Sequence, residues 1–172
     1  MLCDFTIDNW LTLISLNFIA FGGGFALWQF YKNTKIKRAE FLNQILEKLR
    51  FDENLTTTMY VVDYNQVWYD NKFHNSEFEG NIDKLFSYLD YICYLKSTRN
   101  IKGTEFKICQ YEINRVCVSI ATQQYLWNLY HFSKKNNTDS SFQYLIDYGI
   151  EKNLFPTDFK ENITLYIKTL NW

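Results

Sequence analysis

The apolar and polar positions of this chain follow two different patterns. From Trp10 to Phe30 the sequence reads WLTLISLNFIAFGGGFALWQF and carries no charged side chain. A helix of that length spans roughly 30 Å, which is the thickness of the hydrocarbon core of a bilayer. Beyond residue 31, apolar residues recur every three or four positions among polar ones, as in amphipathic helices that pack together in water. The pattern predicts an all-α chain in which one transmembrane helix precedes a cytoplasmic bundle of five or six helices.

The same pattern predicts where the parts of the chain begin and end. We assign residues 1–9 to a short tail outside the membrane, residues 10–31 to the transmembrane helix and residues 32–50 to an amphipathic stem helix. The stem presents one apolar face, made of Phe41, Ile45, Leu46 and Leu49. Residues 51–172 are numerous enough to bury a core of their own, and they form the cytoplasmic helical domain.

Capping signals divide this domain into helices. Asp52 precedes one helical segment, and Ser76 with Glu79 three residues later matches a capping box before the next. Between residues 118 and 122, β-branched residues predict a bend or a break in a long helical segment.

Two further signals concern the C-terminal part of the chain. Asp139 or Ser140 is expected to cap a short helix that Gly149 interrupts. Pro156 stands just ahead of a segment that is expected to form a last helix, because proline is favoured at a helix start. Together these signals give the five or six helices of the predicted bundle.

The charges next to the apolar stretch differ between its two ends. Only acidic side chains precede it, at Asp4 and Asp8. Basic residues follow it in one short segment, namely Lys32, Lys35, Lys37 and Arg38. Basic residues near a membrane span favour the cytoplasmic side, and they also contact lipid headgroups. We therefore predict an inner-membrane protein with its N-terminus outside and its C-terminal domain in the cytoplasm.

Two other interpretations of the apolar stretch stay open. A cleaved signal peptide would have a basic start and a shorter apolar core, whereas this chain has an acidic start. The second is a buried core helix of a soluble protein, because each glycine destabilises a water-exposed helix by about 1 kcal/mol relative to alanine. Glycine is common in membrane helices, so the composition favours the transmembrane interpretation.

Polar and small residues inside the stretch indicate self-association. Asn17 lies near its middle, and Gly22, Gly23 and Gly24 form an uninterrupted run. An amide in a membrane often bonds to a partner helix, and small residues let two helices approach closely. The alternative is that Asn17 bonds to its own backbone and that the glycines only loosen the helix. Both interpretations stay open at this point, and a homo-oligomer is expected.

Composition and charge narrow the class of protein. The formal net charge is −1, and all 18 Lys and Arg lie at or beyond Lys32. The near-neutral soluble part does not have the basic excess that bulk nucleic-acid binding needs. Cys93, Cys109 and Cys117 lie among apolar helical residues without the spacing of a metal site, so we interpret them as reduced core thiols. No cofactor or metal is predicted.

One cluster of titratable residues is a candidate for acid–base chemistry. Glu79 and Asp83 lie four residues apart on one predicted helix face, and His74 lies in the loop just before it. The structural interpretation is stronger, because Glu79 completes a cap, Asp83 lies near the positive helix start and His74 is on the surface. The sequence contains no HExxH, no phosphate-binding glycine-rich loop and no nucleophile elbow. An enzyme is therefore not expected.

Other polar residues have structural interpretations as well. Glu112 and Arg115 are spaced to pair on one helix face. Most of the tyrosines between Tyr60 and Tyr148 are expected to line the core with the hydroxyl at its edge. A minority of them would be free to stack on a flat ligand.

The soluble part resembles a family of bacterial proteins. The segments NIDKLFSYLDYICYLK, IKGTEFKICQYEINRV, YLWNLYHFSKK and FQYLIDYG carry the likeness, which extends from about Phe41 to Gly149. The family pattern is an acid-capped helix with an Asp-x-Leu-Leu-like core, here Asp83-Lys84-Leu85-Phe86, and then a turn and a Glu-Phe start, here Glu105-Phe106. Its members are short bacterial proteins with an N-terminal membrane helix and a helical domain of unknown function. The resemblance implies no catalytic residue, and it implies a prophage or phage-defence setting.

Three functions are consistent with these features, and the lipid bilayer is a partner in each. The first is a non-enzymatic single-pass membrane protein whose cytoplasmic helical domain binds protein, either a second copy or a different partner. The second is a membrane effector whose cytoplasmic domain senses a small ligand, such as a nucleotide signal, and then perturbs the membrane. The third is an enzyme on a membrane anchor that uses His74, Glu79 or Asp83. The sequence favours the first.

Overall fold

The computed structural model of the chain describes residues 7–64 and 67–166. These ranges contain six α-helices and no β-strand. The helices are α1 (Ile7–Phe51), α2 (Glu53–Tyr64), α3 (Glu77–Ser97), α4 (Gly103–Val118), α5 (Ile120–Lys135) and α6 (Gln143–Glu151). The predicted all-α class is therefore confirmed for the described part of the chain.

The chain separates into two compact units, Met1–Ile45 and Leu46–Trp172, and α1 runs through the boundary between them. The described residues of the first unit all belong to α1. The apolar stretch that ends at Phe30 continues into the predicted stem without a break in the helix.

Helix α3 lies at the centre of the second unit. It packs against α2, α4 and α6, and α4 also contacts α2 and α5. The inward face of α3 is fully buried and consists of Ile82, Leu85, Phe86, Leu89 and Ile92. These residues recur at intervals of three and four, which places them on one side of the helix. The amphipathic pattern of this segment thus gives both the helix and its buried side.

Local capping signals predicted the starts of two helices. The Oδ1 atom of Asp52 accepts a hydrogen bond from the backbone N–H of Leu55 at 3.2 Å, at the start of α2. The Oγ atom of Ser76 accepts from the N–H of Glu79 at 3.1 Å, at the start of α3. The capping box is not reciprocal, because the Glu79 carboxylate accepts from the N–H of Asn75 at 2.7 Å and not from that of Ser76.

The break expected between residues 118 and 122 is also present. Helix α4 ends at Val118 and α5 begins at Ile120, so the single residue Ser119 separates them. Ser119 has extended backbone angles, φ −64° and ψ 124°, which end one helix and start the next.

The start of α6 differs from the prediction. Phe142 occupies the N-cap position with a φ of 58°, and no cap bond comes from its own side chain. Neither Asp139 nor Ser140 occupies that position. The first turn is satisfied from another helix, because the Oδ1 atom of Asp90 on α3 accepts from the N–H of Leu145 at 2.8 Å. The sequence pattern did not reveal this cap, because the two residues lie 55 positions apart.

The prediction that Gly149 interrupts α6 is wrong. Gly149 lies inside the helix and is buried. A Cβ atom built on Gly149 would lie 2.6 Å from two ring carbons of Phe155. The ring of Phe155 stacks in turn on that of Phe159, with the centroids 4.9 Å apart. Glycine is therefore required here by the close approach of an aromatic ring.

The last helix predicted after Pro156 is wrong for the described residues, since residues 156–166 form turns. The side chain of Asn162 donates to Asp158 Oδ2 at 2.8 Å and accepts from the N–H of Thr164 at 3.0 Å. Such local bonds between side chains and backbone compete with helix formation. Residues 167–172, which the prediction also covered, lie outside the described ranges.

Candidate membrane-spanning helix and candidate interaction face

The N-terminal part of α1 exposes a continuous apolar surface. The uncharged part of this helix is mainly apolar, and its described residues are exposed. Large rings lie fully in the open, with 75% of Phe18, 77% of Phe21 and 72% of Phe30 exposed. A helix that formed part of this chain's own core would be covered instead. Among the described residues, α1 is the one helix long and apolar enough to cross a membrane.

Polar side chains in this stretch bond to the helix backbone. The Nδ2 atom of Asn17 donates to the carbonyl oxygen of Leu13 at 2.7 Å. The hydroxyl of Thr12 donates to the carbonyl oxygen of Asp8 at 2.8 Å, and that of Ser15 to Thr12 at 2.9 Å. Of the two interpretations of Asn17, the local bond is the one present in a single chain. Bonds of this kind satisfy polar side chains without a partner from another chain.

The glycine run has no packing role within the described part of a single chain. A Cβ atom built on Gly22, Gly23 or Gly24 meets no heavy atom within 4 Å. Close packing inside the chain therefore does not explain these glycines, in contrast to Gly149. Their predicted role in self-association stays a prediction.

Two lysines at the end of the apolar stretch lie over aromatic rings. The Nζ atom of Lys32 is 5.4 Å from the ring centroid of Trp28. The Nζ atom of Lys35 is 4.5 Å from the ring centroid of Tyr31. Both distances are within the range of cation–π attraction. Lys37 and Arg38, the other two members of the predicted basic segment, follow on the same helix.

A second exposed surface lies on α2 and α4 in the second unit, and we call it the tyrosine face. Its members are Tyr60, Tyr64, Tyr111 and Arg115. The three tyrosines are exposed by 49%, 77% and 66%, and the Tyr60 and Tyr64 rings stack with centroids 6.1 Å apart. The guanidinium of Arg115 lies 5.9 Å from the Tyr60 centroid and 5.4 Å from the Tyr111 centroid. Tyrosine and arginine are the residues enriched at the energetic centres of protein interfaces.

The charge on the tyrosine face is balanced internally. Arg115 forms an ion pair with Asp63 on α2, and the hydrogen bond with Asp63 raises the pKa of Arg115 above its ordinary value. Beside them, Thr57, Tyr60, Val61 and Tyr64 line an open groove of about 490 Å³. The face thus combines flat rings, a shallow depression and one positive and one negative group side by side.

The predicted pair between Glu112 and Arg115 is wrong. Glu112 is 7% exposed and bonds to Arg50 on α1. Its Oε1 atom accepts from Nε and Nη2 of Arg50 at 3.1 and 3.0 Å. Arg115 bonds Asp63 instead. One ion pair joins α4 to α1 and the other joins α4 to α2. They therefore hold α4 against its neighbours and do not stabilise the helix from within.

The residues of the candidate acid–base cluster bond to different partners in the structure. The Nδ1 atom of His74 lies 2.6 Å from Oε1 of Glu79, but Asp83 accepts a hydrogen bond from the hydroxyl of Tyr125 at 2.7 Å. Burial and the bond to Asp83 raise the pKa of Tyr125 far above its ordinary value. The Nε2 atom of His74 is buried. The contact of His74 thus connects the loop before α3 to α3, and the contact of Asp83 connects α3 to α5.

The expectation that most of the eleven tyrosines between Tyr60 and Tyr148 line the core is wrong, because six are exposed, four are buried and Tyr88 is half-buried. Tyr69, Tyr125, Tyr130 and Tyr148 are buried. The exposed group comprises Tyr60, Tyr64, Tyr91, Tyr94, Tyr111 and Tyr144. The spacing of Tyr60 with Tyr64 and of Tyr111 with Arg115, four residues in each case, is the signal that could have located the tyrosine face.

No set of three His, Cys, Asp or Glu side chains comes together as a metal site in the part of the chain that the structure describes. A scan against protein-family models finds no match, and searches of curated proteins and of solved structures find no similar protein. The resemblance to the bacterial family therefore stays a prediction.

Proposed function

We propose that this chain is a non-enzymatic, single-pass membrane protein whose cytoplasmic helical domain associates with a second copy of itself. The observation that carries the proposal is the uncharged, mainly apolar stretch of α1, which the other described residues leave exposed. Burying such a surface in hydrocarbon removes the cost of exposing it to water. The acidic residues before the stretch and the basic residues after it support an N-terminus outside and a domain in the cytoplasm.

The tyrosine face supports the self-association of the domain. The commonest contact between two identical copies is two-fold symmetric, so if one residue contacts a second residue across it, the reciprocal contact forms as well. Arg115 and Asp63, adjacent on this face, are able to exchange partners across such an axis without leaving a net charge buried. The exposed rings of Tyr60, Tyr64 and Tyr111 supply rigid apolar area around that pair. Anchoring in one membrane also keeps the copies at a high effective concentration.

Membrane anchoring is tested on the full chain expressed in bacteria. We expect the protein to stay in the membrane pellet after washing with alkaline carbonate. The variant Ile19→Arg places a charge near the middle of the stretch. It should make the free energy of membrane insertion less favourable by about 3 kcal/mol, which lowers the insertion equilibrium constant roughly a hundredfold. The matched variant Thr34→Arg, beyond the stretch, should stay in the pellet. Release of the unmodified chain by carbonate would refute the anchor.

Topology is tested with the thiol of Cys3, which precedes the stretch. A membrane-impermeant maleimide should label Cys3 in spheroplasts and not in inverted vesicles, and Cys3→Ser should remove the label. Labelling in inverted vesicles alone would reverse the predicted orientation while leaving the anchor in place.

The role of the tyrosine face is tested by sedimentation of the full chain in detergent. The triple variant Tyr60→Ala, Tyr64→Ala, Tyr111→Ala should weaken dimerisation by at least about tenfold, since truncating even one energetically central tyrosine costs about 2 kcal/mol. The matched variant Tyr91→Ala, Tyr144→Ala removes two exposed tyrosines from α3 and α6 and should leave it unchanged. Replacing Gly22, Gly23 and Gly24 by Leu tests the contribution of the anchor in the same assay.

The second candidate is a membrane effector that senses a small ligand, and one observation favours it. The groove beside Tyr60 and Tyr64 offers two stacked rings to a flat molecule, and base–aromatic stacking contributes about 1–3 kcal/mol per base. A nucleotide at a hundred times its dissociation constant would raise the unfolding free energy by about 2.7 kcal/mol. A screen of cyclic and linear nucleotides by thermal shift tests this function. A nucleotide that raises the melting temperature of the unmodified chain but not of Tyr64→Ala would support the ligand sensor, whereas self-association requires no such shift.

A further inference from the structure

We propose that Trp28, Tyr31, Lys32 and Lys35 form a site for the phosphate of an anionic phospholipid on one side of α1. We call these four residues the headgroup site. The inference rests on the proposed membrane anchor and goes beyond it, because an anchor alone needs no preference among lipids.

The headgroup site is formed by two ring–lysine pairs on one helix. Each lysine follows its ring by four residues, Lys32 after Trp28 and Lys35 after Tyr31, so each pair spans about one turn. The Nζ atoms lie 5.4 and 4.5 Å from the respective ring centroids. The rings are 56% and 61% exposed, so both pairs are accessible to a ligand. The attraction of each ring reduces the freedom of its lysine, which lowers the entropy lost on binding.

The chemistry of the site matches a phosphodiester. The two ammonium groups, the indole N–H and the phenol O–H are all able to donate, and a phosphodiester accepts hydrogen bonds and carries a negative charge. The sequence has no acidic residue between Asp8 and Glu40, so no carboxylate near in sequence competes for the lysines. The charge complementarity therefore favours an anionic headgroup over a zwitterionic one.

The position of the site along the helix fits a headgroup. Trp28 and Tyr31 stand where the uncharged stretch ends and the basic residues begin. Tryptophan and tyrosine in membrane proteins lie at this boundary, at the level of the headgroups. A phosphate at that level would be in reach of Lys32 and Lys35 from one side.

Lys37 provides a matched control within the same segment. A helix turns about 100° per residue, so Lys37 lies about 200° around the helix from Lys35. Lys37 therefore has the same charge and nearly the same height as Lys35, but it faces away from the headgroup site. Loss of either lysine changes the net charge equally, and a difference between the two variants reports the site.

The test titrates the full chain in detergent with phosphatidylglycerol or phosphatidylcholine of identical acyl chains, and native mass spectrometry counts the bound lipid. Phosphatidylglycerol should bind about tenfold more tightly than phosphatidylcholine. Lys35→Gln should lower that preference about fivefold, and Lys32→Gln with Lys35→Gln should abolish it. Lys37→Gln should change it less than about twofold, and Tyr31→Leu should lower it while keeping the charge.

Three results would overturn the headgroup site. Equal binding of the two lipids would remove any preference, and an equal effect of Lys35→Gln and Lys37→Gln would show that net charge alone acts. Displacement of the lipid by millimolar inorganic phosphate would show that the site takes a free anion. The carbonate wash separates the two proposals, because a chain that stays in the membrane without a lipid preference refutes the headgroup site alone. A chain released by carbonate refutes both.

Discussion

At position 149 one neighbouring ring leaves no room for a side chain. The ring of Phe155 approaches so closely that an added Cβ would lie 2.6 Å from its Cδ2 and Cε2 atoms. Both residues are buried, and interiors are too closely packed to move a ring without cost. The contact makes Gly149 a packing requirement and not a helix breaker.

We predict that Gly149→Ala destabilises the protein by about 1–3 kcal/mol, because the methyl group forces Phe155 from its place. Gly80→Ala is the matched change, since Gly80 is exposed on α3 and an added Cβ meets nothing within 4 Å. It should stabilise by about 0.5–1 kcal/mol through helix propensity alone. Urea unfolding of both variants in detergent measures the difference. Equal effects would show that Phe155 yields freely.

At the residue scale the sequence predicts what depends on near neighbours. Ser76 and Asp52 cap the helices that follow them because a cap needs only the next three residues. The partners of Glu112 and Arg115 were not predictable, because each bonds a residue on another helix. The requirement for glycine at position 149 was not predictable either, because it depends on the ring of Phe155 in the next segment of the chain.

Helix α6 depends on a cap that a different helix supplies. It has 9 residues, which is too short for a stable helix in isolation. Asp90 on α3 accepts the N–H of Leu145 in its first turn. Burial raises the pKa of Asp90 above its ordinary value, although the backbone bonds from Leu145 and Tyr144 act in the opposite direction.

Substitutions at Asp90 separate its acceptor oxygen from its charge. Asp90→Ala leaves the N–H of Leu145 without its acceptor and should destabilise by about 1–2 kcal/mol. Asp90→Asn keeps an acceptor oxygen and removes a partly desolvated charge, so it should be as stable as the unmodified chain at pH 7 or more so. Urea unfolding of all three proteins measures this.

The pH dependence of Asp90 has a definite sign. A raised pKa means that the folded state binds the proton more tightly than the unfolded state, so stability from this group falls as pH rises through that pKa. Asp90→Asn should therefore gain relative to the unmodified chain as the pH rises from about 4 to 7. If Asp90→Asn instead loses stability relative to the unmodified chain as the pH rises, the hydrogen bonds to the charged carboxylate outweigh its burial.

At the element scale, periodicity predicted the helices well and the C-terminal segment poorly. Helix α3 follows directly from its apolar spacing, and its inward face is the buried one. Residues 156–166 form turns, because Asp158, Asn162 and Thr164 bond one another and the backbone. Trp127 then fixes the segment by donating to the carbonyl oxygen of Asn162 at 3.0 Å.

The core of the second unit contains three free thiols, Cys93, Cys109 and Cys117, all buried. Burial raises the pKa of Cys109 to about 11, and it raises the pKa of Cys93 and Cys117 further. At pH 8 roughly one Cys109 thiol in a thousand is therefore the reactive thiolate. These thiols report whether the core as a whole is open.

We predict that a Cys3→Ser variant in detergent shows no fast reaction with a thiol reagent at pH 8. All three core thiols should react together once urea unfolds the second unit, because they share one core. The labelling rate of each cysteine, read by mass spectrometry across a urea series, checks this. One thiol that reacts in the absence of urea would identify a local opening.

For the whole molecule, the candidate membrane span was visible in the sequence and the tyrosine face was not. The span is a property of consecutive residues, so composition alone reveals it. The tyrosine face combines Tyr60 and Tyr64 of α2 with Tyr111 and Arg115 of α4. Its existence depends on how two helices pack, which the apolar pattern does not specify.

The cap from Asp90 to α6 has a consequence for synthesis on the ribosome. The two bonded residues are 55 positions apart, an interval of roughly 3–11 s at ordinary elongation rates of 5–20 residues per second. During that time the helix that will cover part of the apolar side of α3 has not been made. The speed of translation therefore sets how long that side of α3 stays without its partner helix.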